Sequence, residues 1–227
     1  MRSRLSSATN EKILFSHELM KKLKFVPGLR LVALTGSVAA NNSHPKDDID
    51  LFFITAPHTL WLVRPLVLLV ISIFYRRRHP GEDHAKAANA FCPNLWLDSL
   101  SVTVPVSKQN LYTAHEVLQI IPLIDRGGTY QKFLYENRWT KKYLANAYKI
   151  LTSQSSLSKG EAPQQAGRGI PPSSVILAPF NYLSYIIQVL YMYPKKTTET
   201  VHLHAAYLHT TDFASQISHH LKSFKDL

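Results

Sequence analysis

The chain has 227 residues, of which 45% are hydrophobic and 18% are charged, a composition that supports a folded core and excludes a disordered chain. Lysine and arginine number 26 against 15 aspartates and glutamates, and the resulting formal net charge of +11 favours anionic partners. The single cysteine, Cys92, excludes an internal disulfide and any multi-cysteine metal site, and with no visible secretory signal it indicates a reducing, cytoplasmic setting.

The first part of the chain predicts a helix followed by two buried strands. Residues 11–24 carry apolar side chains at helical spacing, with lysines on the opposite side. Residues 31–35, LVALT, form the continuous apolar run that is typical of a buried strand, and Gly36-Ser37 follows at once. After a polar connection, residues 49–55 predict a second strand.

The most apolar segment, residues 60–75, predicts a helix that is buried against the sheet. It has 16 residues and includes Arg64 and Pro65, whereas a helix that spans a membrane needs about 20 apolar residues. Three arginines follow it, which are also compatible with weak contact between residues 60–78 and an anionic membrane surface.

The next part predicts alternating elements after a polar loop over residues 79–89. Residues 95–104 predict one bent strand or two short strands, and Asn110 is a suitable cap for a helix with its apolar face at positions 111, 114, 118 and 121. Residues 129–148 predict another helix. Six cations with interleaved aromatic residues over 126–149 are compatible with RNA binding, or with a solvated helix face.

The last third changes composition and divides the chain. Serine, glutamine, glycine and proline dominate the region around 152–174, which predicts a flexible linker. We therefore expect a core domain over 11–150, a linker over 151–174 and a helical C-terminal segment over 175–227. Histidines cluster at positions 202, 204 and 209, but their spacing matches no recurrent metal motif, so we expect chance clustering there.

The residues most informative about chemistry are Gly36-Ser37 and, ten residues later, Asp48-Ile49-Asp50. Two carboxylates at positions i and i+2 of a strand point to the same face, where their repulsion favours bound cations. Glycine allows close approach of the backbone to a phosphate, and the serine offers a hydroxyl group. Together these residues predict a two-metal phosphoryl-transfer site.

The stretch from Leu31 to Ile54, LVALTGSVAANNSHPKDDIDLFFI, resembles the core motif of the DNA polymerase beta-like nucleotidyltransferase superfamily. Stretches such as NLWLD, NLYTAHEVLQIIPL and ENRW are similar to bacterial and archaeal nucleotidyltransferase-domain proteins, a resemblance that brings no substrate with it. The resemblance implies an α/β (α+β) fold with a small mixed sheet flanked by helices. It also implies that Gly36 and Ser37 hold a nucleoside triphosphate, while Asp48 and Asp50 bind two Mg²⁺ or Mn²⁺ ions.

The superfamily normally supplies a third carboxylate from a later strand, and Asp98 in LWLD is the first candidate. Glu116 and Asp83 are weaker candidates, and Asp47 lies one position off the pattern. The resemblance implies that Asp98 binds the metal next to the attacking hydroxyl and helps to deprotonate it.

The resulting expectation is metal-dependent transfer of a nucleoside monophosphate from a nucleoside triphosphate to an acceptor hydroxyl, with release of pyrophosphate. The acceptor is left open among an RNA 3′ end, a small molecule and a protein side chain. The alternative is a catalytically inactive module of the same fold that binds RNA or an anionic membrane surface.

Overall fold

The computed structural model describes residues 6–79, 82, 87–153, 172–195 and 200–208, and within them it confirms the predicted α/β class. The helices are α1 (Ser7–Leu23), α2 (Gly36–Ala39), α3 (Leu60–Phe74), α4 (Leu111–Gln119), α5 (Thr129–Glu136), α6 (Lys141–Thr152) and α7 (Pro172–Met192). The strands are β1 (Leu29–Leu34), β2 (Ile49–Thr55), β3 (Phe91–Asp98), β4 (Ile121–Asp125), β5 (Thr200–His202) and β6 (Ala205–Tyr207).

The strands form one mixed sheet of six in the order β4-β1-β2-β3-β6-β5. The β2–β3 pair is parallel and every other pair is antiparallel. Because β1 runs against β2, the end of β1 lies beside the start of β2. Because β3 runs with β2, the start of β3 lies at the same end of the sheet.

Helices cover both faces of the sheet, and strand alternation assigns each residue of β2 to one of them. Leu51 and Phe53 belong to the buried cluster that includes residues of α1 and α3, whereas Phe52 and Ile54 belong to the cluster that includes residues of α4 and α5. Asp48 and Asp50 follow the same parity as Phe52, so they lie on the face covered by α4 and α5.

Helix α1 begins earlier than predicted and helps to place the segment before β2. The Ser6 hydroxyl caps the helix by accepting a hydrogen bond from the backbone N–H of Thr9 at 3.1 Å. Lys12 is almost fully buried, and its Nζ donates hydrogen bonds of 2.6 Å to the backbone carbonyls of His44 and Asp47. This contact fixes the connection that leads into Asp48.

The prediction of one helix over 129–148 is wrong because the chain turns at Asn137. That buried side chain donates to the carbonyls of Phe133 and Val102 and accepts from the N–H of Val104. It thereby ends α5 and ties it to the loop after β3. Strand β3 also begins earlier than predicted and ends at Asp98, so the prediction of strand as far as residue 104 is wrong. Strand β4 was missed because Ile121 was assigned to the preceding helix.

The C-terminal segment completes the sheet and is not all helical. Helix α7 confirms the predicted helix, but β6 then pairs with β3, and β5 pairs with β6. Short strands of three residues give little periodic signal, which explains why the hairpin was missed. Most of the predicted linker and residues 209–227 lie outside the described residues.

Helices α3 and α7 pack together through polar groups of α7. The predicted burial of α3 is confirmed on the side that contains Trp61, Val67 and Ile71. On α7, the side chains of Asn181, Ser184 and Gln188 each hydrogen-bond the backbone of Trp61. Much of the apolar surface of α7 is consequently exposed to solvent.

Length and composition would allow one helix in the described part of the chain to cross a membrane. It is α7, in which Val175–Met192 has a mean hydropathy of 1.5 and only 6% of that window is buried.

Candidate functional site

Asp48 and Asp50 lie side by side at the start of β2, on one face of the sheet. One carboxylate oxygen of each lies within 4.8 Å of the other and of the Cys92 sulfur. Cys92 is the residue paired with Asp50 in the neighbouring strand β3. The structure therefore brings the two predicted acids together and adds a thiol beside them.

Gly36 packs directly against Asp50. The backbone N–H of Thr35 donates to the Asp50 carbonyl at 3.1 Å, and Gly36 then adopts a left-handed conformation with φ of +60°. A Cβ atom at Gly36 would lie 3.1 Å from Asp50 Cγ and would overlap its Oδ2. Glycine is required here for both conformation and space, and Ser37 is the next residue along the chain.

Each carboxylate already has a hydrogen-bond donor from another element. Arg78, which follows α3, donates from NH1 to Asp48 Oδ2 at 2.6 Å, and Asn94 of β3 donates from Nδ2 to Asp50 Oδ1 at 2.5 Å. The sequence analysis missed both residues. Arg78 was assigned to an arginine run at a helix end, and Asn94 was passed over within NLWLD in favour of the nearby aspartate.

Burial and like charge dominate the electrostatics of this site. Burial, followed by the charge of Asp48, raises the pKa of Asp50 to about 7, and Arg78 partly opposes this shift. Burial and the two neighbouring carboxylates also raise the pKa of the Cys92 thiol above its ordinary range. This environment favours the protonated thiol and disfavours a thiolate nucleophile at Cys92.

Asp98 does not join Asp48 and Asp50, so the predicted three-carboxylate set with Asp98 does not form. In the parallel β2–β3 pairing, Asp98 lies opposite Thr55, five residues along the strand from Asp50, which corresponds to about 17 Å. It also shares the face of Thr55, not that of Asp50. The reason is that β2 and β3 run in the same direction, which places the end of β3 far from the start of β2.

Glu116 of α4 is the alternative third carboxylate that the structure retains. Its charge acts on Asp50 and contributes to the raised pKa of that residue. Burial raises the pKa of Glu116 itself, although Gln119 donates a hydrogen bond of 2.6 Å to its Oε1. Asp83, the other weaker candidate, lies outside the described residues.

The donor set fits a hard divalent cation. Two adjacent carboxylates supply the oxygen ligands that Mg²⁺ and Mn²⁺ prefer, and a cation there would offset their repulsion. The Cys92 thiol is a soft ligand and is unsuited to Mg²⁺. Asp48 and Asp50 can therefore hold a divalent ion, and two ions at this site stay a prediction.

The basic segment 126–149 uses some of its cations inside the fold. Arg126 donates hydrogen bonds to the carbonyls of Val26 and Leu29, and Lys132 Nζ donates to the carbonyl of Ser99 at 2.8 Å. Other cations lie against aromatic rings, as Lys141 does over Tyr148. RNA binding by this segment stays a prediction.

Searches of protein families and of curated proteins found no match to this chain. Among solved structures, it is similar to a toxin–antitoxin with AMP-PNP at 16% identity and a TM-score of 0.33, covering 61% of this chain and 97% of the other. A mutant of the toxin–antitoxin MntA-HepT matches at 14% identity with a TM-score of 0.31, and the match covers 61% of this chain and 97% of the other. A further MntA-HepT structure matches at 13% identity with a TM-score of 0.30, and the match covers 62% of this chain and 97% of the other.

Replacing Gly36 should damage the site specifically. We expect Gly36→Ala to lower the free energy of unfolding by about 2–4 kcal/mol, since strain at positive φ is added to a clash with Asp50. Gly128→Ala is the matched control, because Gly128 has φ of +66° with no atom within 4 Å of its added Cβ. It should cost only about 1 kcal/mol. Urea denaturation measures both, and equal losses would contradict the close packing on Asp50.

The raised pKa of Asp50 predicts a pH dependence of stability. Its folded-state pKa of about 7 exceeds its ordinary value of 3.8, so ionisation favours the unfolded chain. In metal-free protein, the free energy of unfolding should fall by up to about 4 kcal/mol as pH rises from 4 to 7. Asp50→Asn should remove this component, whereas Asp47→Asn should retain it. Denaturant unfolding across this range checks the slope, and an unchanged slope in Asp50→Asn would count against the assignment.

Proposed function

We propose that this chain is a metal-dependent nucleotidyltransferase, which moves a nucleoside monophosphate from a nucleoside triphosphate to an acceptor hydroxyl and releases pyrophosphate. The observation that carries this proposal is the packing of the Gly36 backbone against the carboxylate of Asp50, with Asp48 beside it. A glycine turn next to paired acids suits a triphosphate whose charge is shared by bound cations.

Each residue has a separable part in this proposal. Asp48 and Asp50 hold a divalent cation, which when bound supplies positive charge at the phosphate groups. Gly36 keeps the space beside Asp50 free of a side chain, and the Ser37 hydroxyl positions the phosphates. Arg78 orients Asp48 through its hydrogen bond of 2.6 Å. Glu116, near Asp50, is the candidate for accepting the proton from the acceptor hydroxyl.

The acceptor stays open among three classes. An RNA 3′ end is favoured by the net charge of +11, because the phosphate backbone is attracted to a basic protein. A small molecule or a protein side chain is equally compatible with the residues at the site. A cytoplasmic location is part of the same proposal, since the substrate is a nucleoside triphosphate.

Labelling with each α-labelled nucleoside triphosphate tests the proposed transfer. The full chain is incubated with Mg²⁺ or Mn²⁺ and with total RNA or cell lysate, and the label is followed into RNA, protein and small solutes. Asp48→Asn/Asp50→Asn should reduce transfer by at least about 100-fold, because the cation loses its ligands. Asp47→Asn is the matched control and should stay near wild type.

The same assay separates the candidates for the third carboxylate. Glu116→Gln should reduce transfer strongly, whereas Asp98→Asn should leave it largely intact if the variant melts like wild type. Absence of label above the double variant would contradict transferase activity. Nucleotide-dependent thermal stabilisation without labelling would instead favour the inactive module.

A second candidate function, contact with an anionic lipid surface, is favoured by one specific observation. Helix α7 contains no charged residue over Pro172–Met192, and it directs Asn181, Ser184 and Gln188 towards α3. Its exposed side chains are large and apolar: Ile176, Phe180, Ile187 and Leu190 are each more than half exposed. A helix with polar groups inside and apolar groups outside suits a hydrocarbon environment better than water.

A nearby positive charge fits the same partner. Ile73 and Phe74 of α3 are also exposed apolar side chains, and Lys22 of α1 lies 5.0 Å from the Phe74 ring. A lysine beside an exposed apolar side chain would attract anionic headgroups. This extends the predicted contact through residues 60–78 to include α7.

Vesicle flotation tests the lipid contact. The chain should bind vesicles of phosphatidylcholine with phosphatidylglycerol more strongly than vesicles of phosphatidylcholine alone. Ile187→Ser/Leu190→Ser should reduce binding by at least about tenfold, given the apolar area it removes. Ile150→Ser is the matched control, because Ile150 on α6 is also more than half exposed, like Ile187 and Leu190. Flotation that the double variant does not change would contradict the proposal, as would a dimer that the same variant dissociates.

A further inference from the structure

A second cluster of ligand-type side chains lies at the opposite end of the sheet from Asp48 and Asp50. His58 comes from the loop between β2 and α3, Asp98 from the end of β3, and His204 from the turn between β5 and β6. One ligand atom of each lies within 4.8 Å of the other two. Asp98 is fully buried, whereas the two histidines are partly exposed.

The separation between His204 and Asp98 is compatible with a shared metal ion. His204 Nδ1 lies 3.4 Å from Asp98 Oδ2, whereas charge-assisted N–H···O hydrogen bonds are about 2.7–2.9 Å long. Ligand atoms about 2.0–2.2 Å from a tetrahedral zinc ion lie about 3.4 Å apart. The observed distance therefore matches the spacing of two ligands on one ion.

The backbone holds the other two members in place. His58 has a left-handed φ of +56°, which is uncommon for a residue with a side chain, and its N–H donates to Asp98 Oδ2 at 2.7 Å. The N–H of Leu100 donates to the other carboxylate oxygen, Oδ1, at 2.9 Å. Each oxygen retains a further lone pair, and these hydrogen bonds orient the carboxylate towards the imidazole rings.

The two rings face this carboxylate from different elements. Their centroids are 5.7 Å apart with an interplanar angle of 64°, so the rings are not stacked on each other. The two histidines are partly exposed, so the cluster is not sealed from solvent.

We propose that His58, Asp98 and His204 form a second metal site, which binds a divalent first-row transition ion such as Zn²⁺. Two imidazoles and one carboxylate are the ligand types of zinc sites that leave an open coordination position. This site differs from the Asp48–Asp50 pair, whose oxygen ligands suit Mg²⁺ or Mn²⁺. It does not depend on the nucleotidyltransferase proposal.

The sequence could not indicate this site, because its three ligands are far apart along the chain. The expectation of chance clustering at positions 202, 204 and 209 considered only neighbouring histidines. The sheet instead joins His204 to Asp98 through the β3–β6 pairing, and joins Asp98 to the loop after β2 through the β2–β3 pairing.

Titration of metal-free protein with Co²⁺ tests the proposal through the visible absorption of a bound ion. The full chain is treated with chelator, dialysed, and titrated in excess Mg²⁺, which competes for sites made of oxygen ligands. We expect the protein to bind one equivalent of Co²⁺ and to show the d–d absorption bands of a Co²⁺ ion with low coordination number. One equivalent of Zn²⁺ should displace the bound Co²⁺ and remove these bands. His58→Ala and His204→Ala should each weaken binding by at least about tenfold, the minimum that loss of a direct ligand implies.

His202→Ala is the matched control, because His202 is an exposed histidine two residues from His204 in the same hairpin. It should bind Co²⁺ like the wild type. Circular dichroism melting without metal shows whether each variant folds, and His58→Gln and His204→Gln replace the alanine variants if those unfold. Absence of Co²⁺ bands, or bands that persist unchanged in both ligand variants, would overturn the proposal.

Discussion

The repulsion between two carboxylates held side by side at the start of β2 is the constraint on which the candidate site depends. Asp48 and Asp50 share a face because strand residues two apart always do, and burial prevents water from screening them fully. Arg78 and Asn94 each donate a hydrogen bond to one of them. These contacts reduce the repulsion without removing it, as the raised pKa of Asp50 indicates.

The rest of this end of the sheet is arranged around that pair. Gly36 has no side chain where one would meet Asp50, and Lys12 fixes the connection before Asp48 through two backbone carbonyls. Glu116 approaches from α4, on the same face. The proposed function places substrate, cation and acceptor at the edge where β1 ends and where β2 and β3 begin.

The sequence predicted this part of the molecule well because its signals are local. The apolar run before Gly36 predicts one strand, and the alternation of acidic and apolar residues from Asp48 onwards predicts a second. The two-residue spacing also predicts that Asp48 and Asp50 lie on the same face. Asp98 was misplaced because its position depends on the direction and register of β3 relative to β2, which no local pattern contains. Arg78, Asn94 and His204 were missed for the same reason, since each reaches its partner only through the folded sheet.

The pairing of β6 with β3 has a consequence for how the chain folds. Residues 205–207 pair with residues 95–97, so more than a hundred residues separate the two partners along the chain. Until residues 205–207 are synthesised, β3 is an edge strand with open backbone groups beside the large Trp96 side chain. Contacts of such long sequence separation form slowly, so nascent chains that lack this hairpin would be prone to aggregation.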